Sequence, residues 1–170
     1  MSEFSRIQDI RALPAGPITL DATAEECAAL AKRFGLVAVN SLHADVTLIG
    51  EGGKVTATGR LLADIVQSCA ISGDDLPVKI DEPVTLRFVP TAAPHRPDEE
   101  VELDAEALDE VEYDGTQFDL GEELAQGLAL AIDPFLAGPN ADEARRKAGL
   151  SDAAASGPFA ALAGLKGKLD

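Results

Sequence analysis

Two stretches of the chain carry apolar residues at helical spacing, and the first follows a capping sequence. In Thr23–Glu26 a hydroxyl and a later carboxylate can satisfy two free amides of a helix start. The apolar positions behind it recur at intervals of three and four residues, and they are Cys27, Leu30, Ala31 and Phe34. Gly35 then provides a C-terminal stop. The pattern predicts a helix over residues 24–34.

The second stripe is the clearest in the chain. Its positions are Leu120, Leu124, Leu128 and Ile132, with Asp119 as the cap and Pro134 just beyond the end. The residue before a proline avoids the α region, so the helix is predicted over residues 120–132. Its apolar face is expected to pack on a sheet. A short helix is also predicted near residues 141–148.

Between these helices the period changes to two, which indicates strands within residues 37–89. Alternating stretches at 42–48 and 55–61 flank a glycine-rich turn and predict a hairpin. Gly59 inside the second strand suggests a bulge or bend. Two further strands are predicted at 76–80 and 84–88, on either side of Pro83.

These elements predict an α+β fold, in which an antiparallel meander of about four to six strands packs against two main helices. Residues 1–135 would form a single domain, beginning with an extended arm over residues 1–20. Residues 98–117 would be an acidic loop with a short strand at Val101 and Leu103. Residues 136–170 would form a flexible tail, partly helical or disordered.

The net charge of the chain indicates which kinds of partner it can bind. The formal net charge is −16, and the segment from Asp98 to Glu123 holds thirteen acidic residues and no Lys or Arg. Such a protein repels polyanions, so an RNA contact would need a local basic patch, whereas a basic protein partner is easier to attract. The alternative is that the charge serves solubility alone. No secretory signal or long apolar run is present, so we expect a cytoplasmic protein that contacts neither membrane nor DNA.

Candidate chemistry is sparse. Cys27 and Cys69 show no metal-ligand spacing and are expected to be free buried thiols. His43 lies in a predicted strand and His95 in a proline-rich loop, and neither has a partner at ligand spacing. Asp64 is either a buried acid with a raised pKa or, as we favour, an outward residue of a half-buried strand. We therefore expect no enzyme activity, no cofactor and no metal.

Four segments in order resemble a known family. They are Val55–Ile71, Val78–Phe88, Phe118–Pro134 and the closing Gly157–Lys166. Their order resembles the YceD family of bacteria and plastids, and the likeness covers about residues 5–168. The chain looks like the alphaproteobacterial branch. Many members carry C-x-x-C where this chain has Cys69 followed by Ser72, so a metal staple based on that pair is not expected here.

The resemblance implies a non-catalytic factor in large ribosomal subunit biogenesis that promotes accumulation of large-subunit rRNA. One mechanism is direct rRNA contact, and the other is shielding of a basic large-subunit ribosomal protein, which the charge favours. The candidate contact residues are Arg145, Arg146, Lys147, Lys166, Lys168 and Phe159. Two other classes stay open: a small-ligand or protein-binding module of unrelated role, with a pocket between the sheet and the helix at 120–132, and a hydrolase that pairs Asp64 with another acid.

Overall fold

The two predicted long helices are present with nearly the predicted bounds. A computed structural model describes residues 2–91 and 110–149 of the chain. Helix α1 (Ala24–Phe34) begins at the reciprocal cap between Thr23 and Glu26 and ends at Gly35, whose backbone is left-handed (φ 65°). Helix α2 (Leu120–Ala131) begins where the Asp119 carboxylate accepts the Glu122 amide. The third helix, α3 (Ala141–Lys147), is the predicted short one.

The strands form a five-stranded, mostly antiparallel sheet and a separate two-stranded sheet, which confirms the α+β class. The strands are β1 (Ile7–Asp9), β2 (Ile18–Asp21), β3 (Ala38–Glu51), β4 (Lys54–Ser68), β5 (Asp75–Pro90), β6 (Glu110–Tyr113) and β7 (Gln117–Asp119). The larger sheet has the order β2-β3-β4-β5-β6, and β1 pairs with β7. The predicted extended arm therefore supplies one strand to each sheet.

Several details of the predicted sheet were wrong. The strands expected on either side of Pro83 are one continuous strand, β5. The acidic loop expected over 98–117 contains β6, which pairs with the end of β5 in parallel, with Arg87 opposite Glu110. The remainder of that loop at 98–109, with Val101 and Leu103, lies outside the described residues.

The bulge expected at Gly59 is also wrong. Gly59 pairs regularly with Val46, and the register shift lies between Val39 and Ser41. A Cβ on Gly59 would lie 1.9 Å from the Asp45 carbonyl oxygen. The glycine is therefore needed for close contact between the two strand backbones, and the pairing continues through it without a register shift.

The described residues divide into two compact units: residues 2–66 with 77–91 and 110–132, and residues 67–76 with 133–149. The first unit holds the main core. Its large, fully buried side chains are Phe4, Leu30, Leu42, Val46, Val55, Leu61, Ile65, Phe88, Leu120, Leu124 and Leu128. Phe88 stacks on Phe118 with ring centroids 4.1 Å apart. None of the described helices is long and apolar enough to cross a membrane.

In the second unit, backbone and side-chain hydrogen bonds join the turn after β4 to the segment before α3. The Ala70 amide donates to the Leu136 carbonyl, and the Asn140 amide group donates to the Asp74 carboxylate. The buried Gln67 side chain donates to the Asp133 carbonyl at 2.8 Å. Residues 133–140, which include the start of the predicted tail, are thus hydrogen-bonded to residues 67–76, and residues 150–170 lie outside the described residues.

Candidate functional site

An apolar cleft opens between β5 and α2 in the first unit, at the place where sequence analysis put the pocket of a binding module. Its volume is about 260 Å³. The deepest lining side chains, Leu61 and Leu124, are each only 1% exposed, while Leu130 on the rim is 89% exposed. We call this feature the β5–α2 cleft. It is smaller than the ~300–1,000 Å³ of pockets that enclose whole small ligands, and it is open on one side.

Gly127 leaves the helix wall of the cleft without a side chain. A Cβ built there would meet only the Leu61 Cδ2 atom, at 4.0 Å, which is an ordinary contact. A glycine inside a helix is less favourable than alanine by roughly 0.5–1 kcal/mol. Packing does not require this glycine, so the sequence accepts a small loss of stability at the position that keeps the cleft open.

Two carboxylates line the otherwise apolar cleft. Glu82 lies on β5 between the buried Ile80 and Val84, but its own side chain is exposed, so its carboxylate is at the rim of the cleft. Glu123 lies in the first turn of α2. Both belong to the cleft lining, in which Thr85 is the one neutral polar side chain.

The electrostatic setting of Glu123 is unfavourable to its charge. Burial raises the pKa of Glu123, and the negative charges of Glu122 and Asp119 raise it further. Its hydrogen-bond partner is the neutral Gln126 amide, at 3.3 Å. Within the described ranges 2–91 and 110–149, neither Glu123 nor Glu82 forms a salt bridge. The cleft can hold an apolar group and attract a cation.

The predicted basic contact residues fall into two sets. Arg145, Arg146 and Lys147 lie together on α3, but the helix begins with two acids. Arg145 pairs with Asp142 at 3.0 Å, and Lys147 pairs with Glu143 at 2.7 Å. The helix therefore presents a net charge of about one positive unit rather than three at neutral pH. Lys166, Lys168 and Phe159 lie outside the described residues.

Cys69 sits in the turn of the second unit, and its sulfur accepts three backbone amides. They come from Gly138 at 3.2 Å, Ser72 at 3.3 Å and Ile71 at 3.5 Å. These hydrogen bonds, that of Gly138 first, lower the pKa of the Cys69 thiol to about 6. Both cysteines are free and buried, as predicted. Across residues 2–91 and 110–149 no three His, Cys, Asp or Glu side chains are grouped to hold a metal ion.

His43 and Asp64 lie on the outer face of the sheet and do not line the cleft. The His43 ring is hydrogen-bonded to Asp21 at 2.7 Å and to Asp45 at 3.2 Å, and these bonds raise its pKa. Asp64 accepts from the Asn40 amide at 2.9 Å and lies between buried neighbours in the alternating pattern of β4. Asp64 is therefore an outward residue, as favoured from the sequence. His95 is outside the described residues.

The apolar stripe of α2 predicts the place of the cleft, but no motif in the sequence marks its polar residues. A weaker signal for Glu82 was present, because the alternation of Val78, Ile80, Val84 and Leu86 keeps one phase through it. Splitting the strand at Pro83 hid that phase. The signal for Gly127 was a lone glycine inside the clearest apolar stripe.

No family model matches the chain, and no curated protein and no solved structure matches it either. The resemblance to the YceD family therefore stays a prediction made from the sequence.

Proposed function

We propose that this protein is a non-catalytic factor in large ribosomal subunit biogenesis that acts by binding a basic ribosomal protein. The observation that carries the proposal is the net charge of −16 together with an apolar cleft lined by two carboxylates that have no cation partner among the described residues. A partner rich in Lys and Arg would gain from both features, because complementary charge speeds association and an apolar anchor slows release. The family resemblance supplies the biological setting.

The charges favour a protein partner over direct rRNA contact. Nucleic-acid affinity depends on neutralising phosphates with Lys and Arg, and it falls steeply with salt. Among the candidate contact residues that the structure describes, the basic ones all lie on α3. There Asp142 and Glu143 are within ion-pair distance of Arg145 and Lys147. These acids would oppose the approach of a phosphate backbone.

A small-ligand module is the second candidate, because the sheet–helix interface is not completely filled. The volume of about 260 Å³ leaves room for a small apolar or amphiphilic molecule. The open side and the small size favour a side chain presented by a partner over an enclosed ligand.

The test is a titration of the full chain with purified large-subunit rRNA fragments and, separately, with a small basic large-subunit ribosomal protein, each at two salt concentrations. The proposal expects saturable binding of the protein, with weak rRNA binding at physiological salt. Tight rRNA binding with a steep salt slope, and no binding of the protein, would refute it. Binding of neither would refute it as well.

A further inference from the structure

The β5–α2 cleft combines an apolar interior with an unneutralised acidic lining, and this combination specifies a ligand. Leu130 is 89% exposed beside the buried Leu61 and Leu124, so an apolar group placed here would cover a side chain that is now in water. Burying apolar surface is favourable by roughly 25 cal/mol per Å². The volume suits one bulky side chain inserted from the open side.

The carboxylates define what should flank that side chain. Glu82 is exposed at the edge of the cleft, where a cation carried by a partner can reach its carboxylate. Glu123 has a raised pKa because of burial and its negative neighbours. An ammonium or guanidinium group at the rim would offset the unfavourable charge of Glu123 and pair with the exposed Glu82. An anion such as a nucleic-acid phosphate would be repelled.

Protection of the sheet edge offers another explanation for Glu82. In the described residues β6 covers only Arg87–Pro90 of β5, and a charged side chain on the uncovered part discourages unwanted strand pairing there. That explanation does not extend to the helix side of the cleft. It accounts neither for Gly127, where a Cβ would fit, nor for the exposure of Leu130.

A second copy of the chain is a poor occupant. A two-fold contact across this face would bring Glu82 and Glu123 of one copy towards the same residues of the other. Like charges placed together in an interface are destabilising.

We infer that the β5–α2 cleft binds a peptide segment of a partner protein in which a bulky apolar side chain is flanked by lysine or arginine. The inference rests on the proposed function in taking the partner to be basic. It goes further by naming the surface and the sequence pattern that the surface selects.

The direct test follows backbone amide NMR signals of the full ¹⁵N-labelled chain during titration with the synthetic peptide Lys-Lys-Leu-Leu-Lys-Lys. The control peptide is Lys-Lys-Ser-Ser-Lys-Lys, which keeps the charge and removes the apolar anchor. We expect the first peptide to shift the signals of Val84, Gly127 and Leu130 and to bind about tenfold more tightly than the second, which corresponds to ~1.4 kcal/mol. Equal affinities, or shifts confined to other acidic surfaces, would overturn the inference.

Variants then locate the site. Gly127→Leu fills the cleft from α2 and should weaken binding of the leucine peptide by about tenfold. Ala28→Leu adds a leucine at an exposed position of α1, outside the cleft lining, and should leave affinity unchanged. Thermal melts establish that both variants fold. If Gly127→Leu melts early, Leu130→Ser takes its place as the cleft variant, with the same expected loss.

Charge variants test the flanking cations. Glu82→Gln and Glu123→Gln should each weaken binding about two- to fivefold, whereas Glu51→Gln, on the exposed end of the hairpin, should not. Equal effects of all three would show attraction by net charge alone and overturn the inference.

Two further outcomes separate this inference from the proposed function. Retention of the basic ribosomal protein by Gly127→Leu at wild-type affinity would refute the cleft as the docking surface while leaving the proposed function in place. Self-association of the wild-type chain that Gly127→Leu abolishes would identify a second copy as the occupant, and it would also overturn the inference.

Discussion

Alanine substitution at two glycines of α2 should have opposite effects on stability. Gly121 and Gly127 lie six residues apart in one helix, and alanine is the better helix former at both, although the gain is smaller at Gly121 in the first turn. Their surroundings differ. A Cβ at Gly121 would lie 2.3 Å from the Phe4 carbonyl oxygen and 2.8 Å from the Arg6 amide nitrogen, whereas one at Gly127 would have its nearest contact at 4.0 Å, with Leu61.

The expected magnitudes follow from these distances. Alanine gains about 0.8–1.0 kcal/mol over glycine within a helix, and Gly127→Ala should realise most of that gain. At Gly121 the obstructing atoms belong to the backbone and cannot rotate away. Overpacking of this kind costs about 1–3 kcal/mol, and we expect the upper end, for a net loss of about 2 kcal/mol. The two variants should therefore differ by about 3 kcal/mol in free energy of unfolding.

Urea denaturation of both variants and the wild-type chain measures this difference, provided that the m-values agree. Thermal melts should show the same order, with a shift of about 2–4 °C per kcal/mol for a chain of this size. If Gly121→Ala proves as stable as Gly127→Ala, the backbone at residues 4–6 does not lie against the start of α2, and the reasoning is refuted.

Three further predictions concern side chains. The hydrogen bond from Arg33 holds the pKa of Glu122 at about 2, below its ordinary 4.5, so the pair stabilises the fold above pH 4.5 and loses that contribution as the pH falls towards 2. Between pH 5 and pH 2 the free energy of unfolding should fall by about 1–2 kcal/mol more in the wild-type chain than in Glu122→Gln, a figure already reduced because the pair is partly exposed. Urea denaturation at each pH measures this fall, and an equal fall in both proteins would contradict the prediction. Glu123 has a raised pKa, so its charge destabilises the fold as the pH rises; Glu123→Gln should raise the urea midpoint at pH 7 but not at pH 3, and a lower midpoint at pH 7 would count against the assignment. Cys69→Ala removes the acceptor of three amides and should lower the urea midpoint more than Cys69→Ser, which keeps an acceptor, and the reverse order would contradict the sulfur's role.

Local signals made the helices predictable. The cap at Thr23, the stripe behind it and the stop at Gly35 all act within one short segment, so α1 has the predicted bounds. The Asp119 cap and the leucine stripe did the same for α2. Such local interactions do not depend on the rest of the fold, so they can be predicted from a short segment of sequence.

Long-range contacts explain what the sequence could not reveal. β6 is acidic and follows a proline-rich segment, which is typical of a loop, yet pairing with the end of β5 makes it a strand. Gly59 carries the usual sign of a bulge, and only the neighbouring Asp45 backbone reveals that the glycine serves close approach. Pro83 is exposed within β5, where a proline breaks no buried packing.

The candidate site was partly predictable for the same reason. The place of the cleft follows from the expectation that α2 packs on the sheet. Whether the cleft is open depends on the positions of Gly127 and Leu130 relative to β5. Tertiary packing sets those positions, so the sequence does not reveal them. The basic residues of α3 were predicted to form a cluster of positive charge. Asp142 and Glu143 lower the net charge of that cluster, because they lie three and four residues before Arg145 and Lys147 and pair with them.

The most direct test of the proposed function is sedimentation of a native lysate that contains the tagged full chain, followed by identification of the proteins that remain bound after capture. We predict comigration with large-subunit precursors, loss of that comigration at high salt, and retention of a basic ribosomal protein after RNase treatment. A chain found only at the top of the gradient, with no ribosomal protein bound, would contradict the proposal.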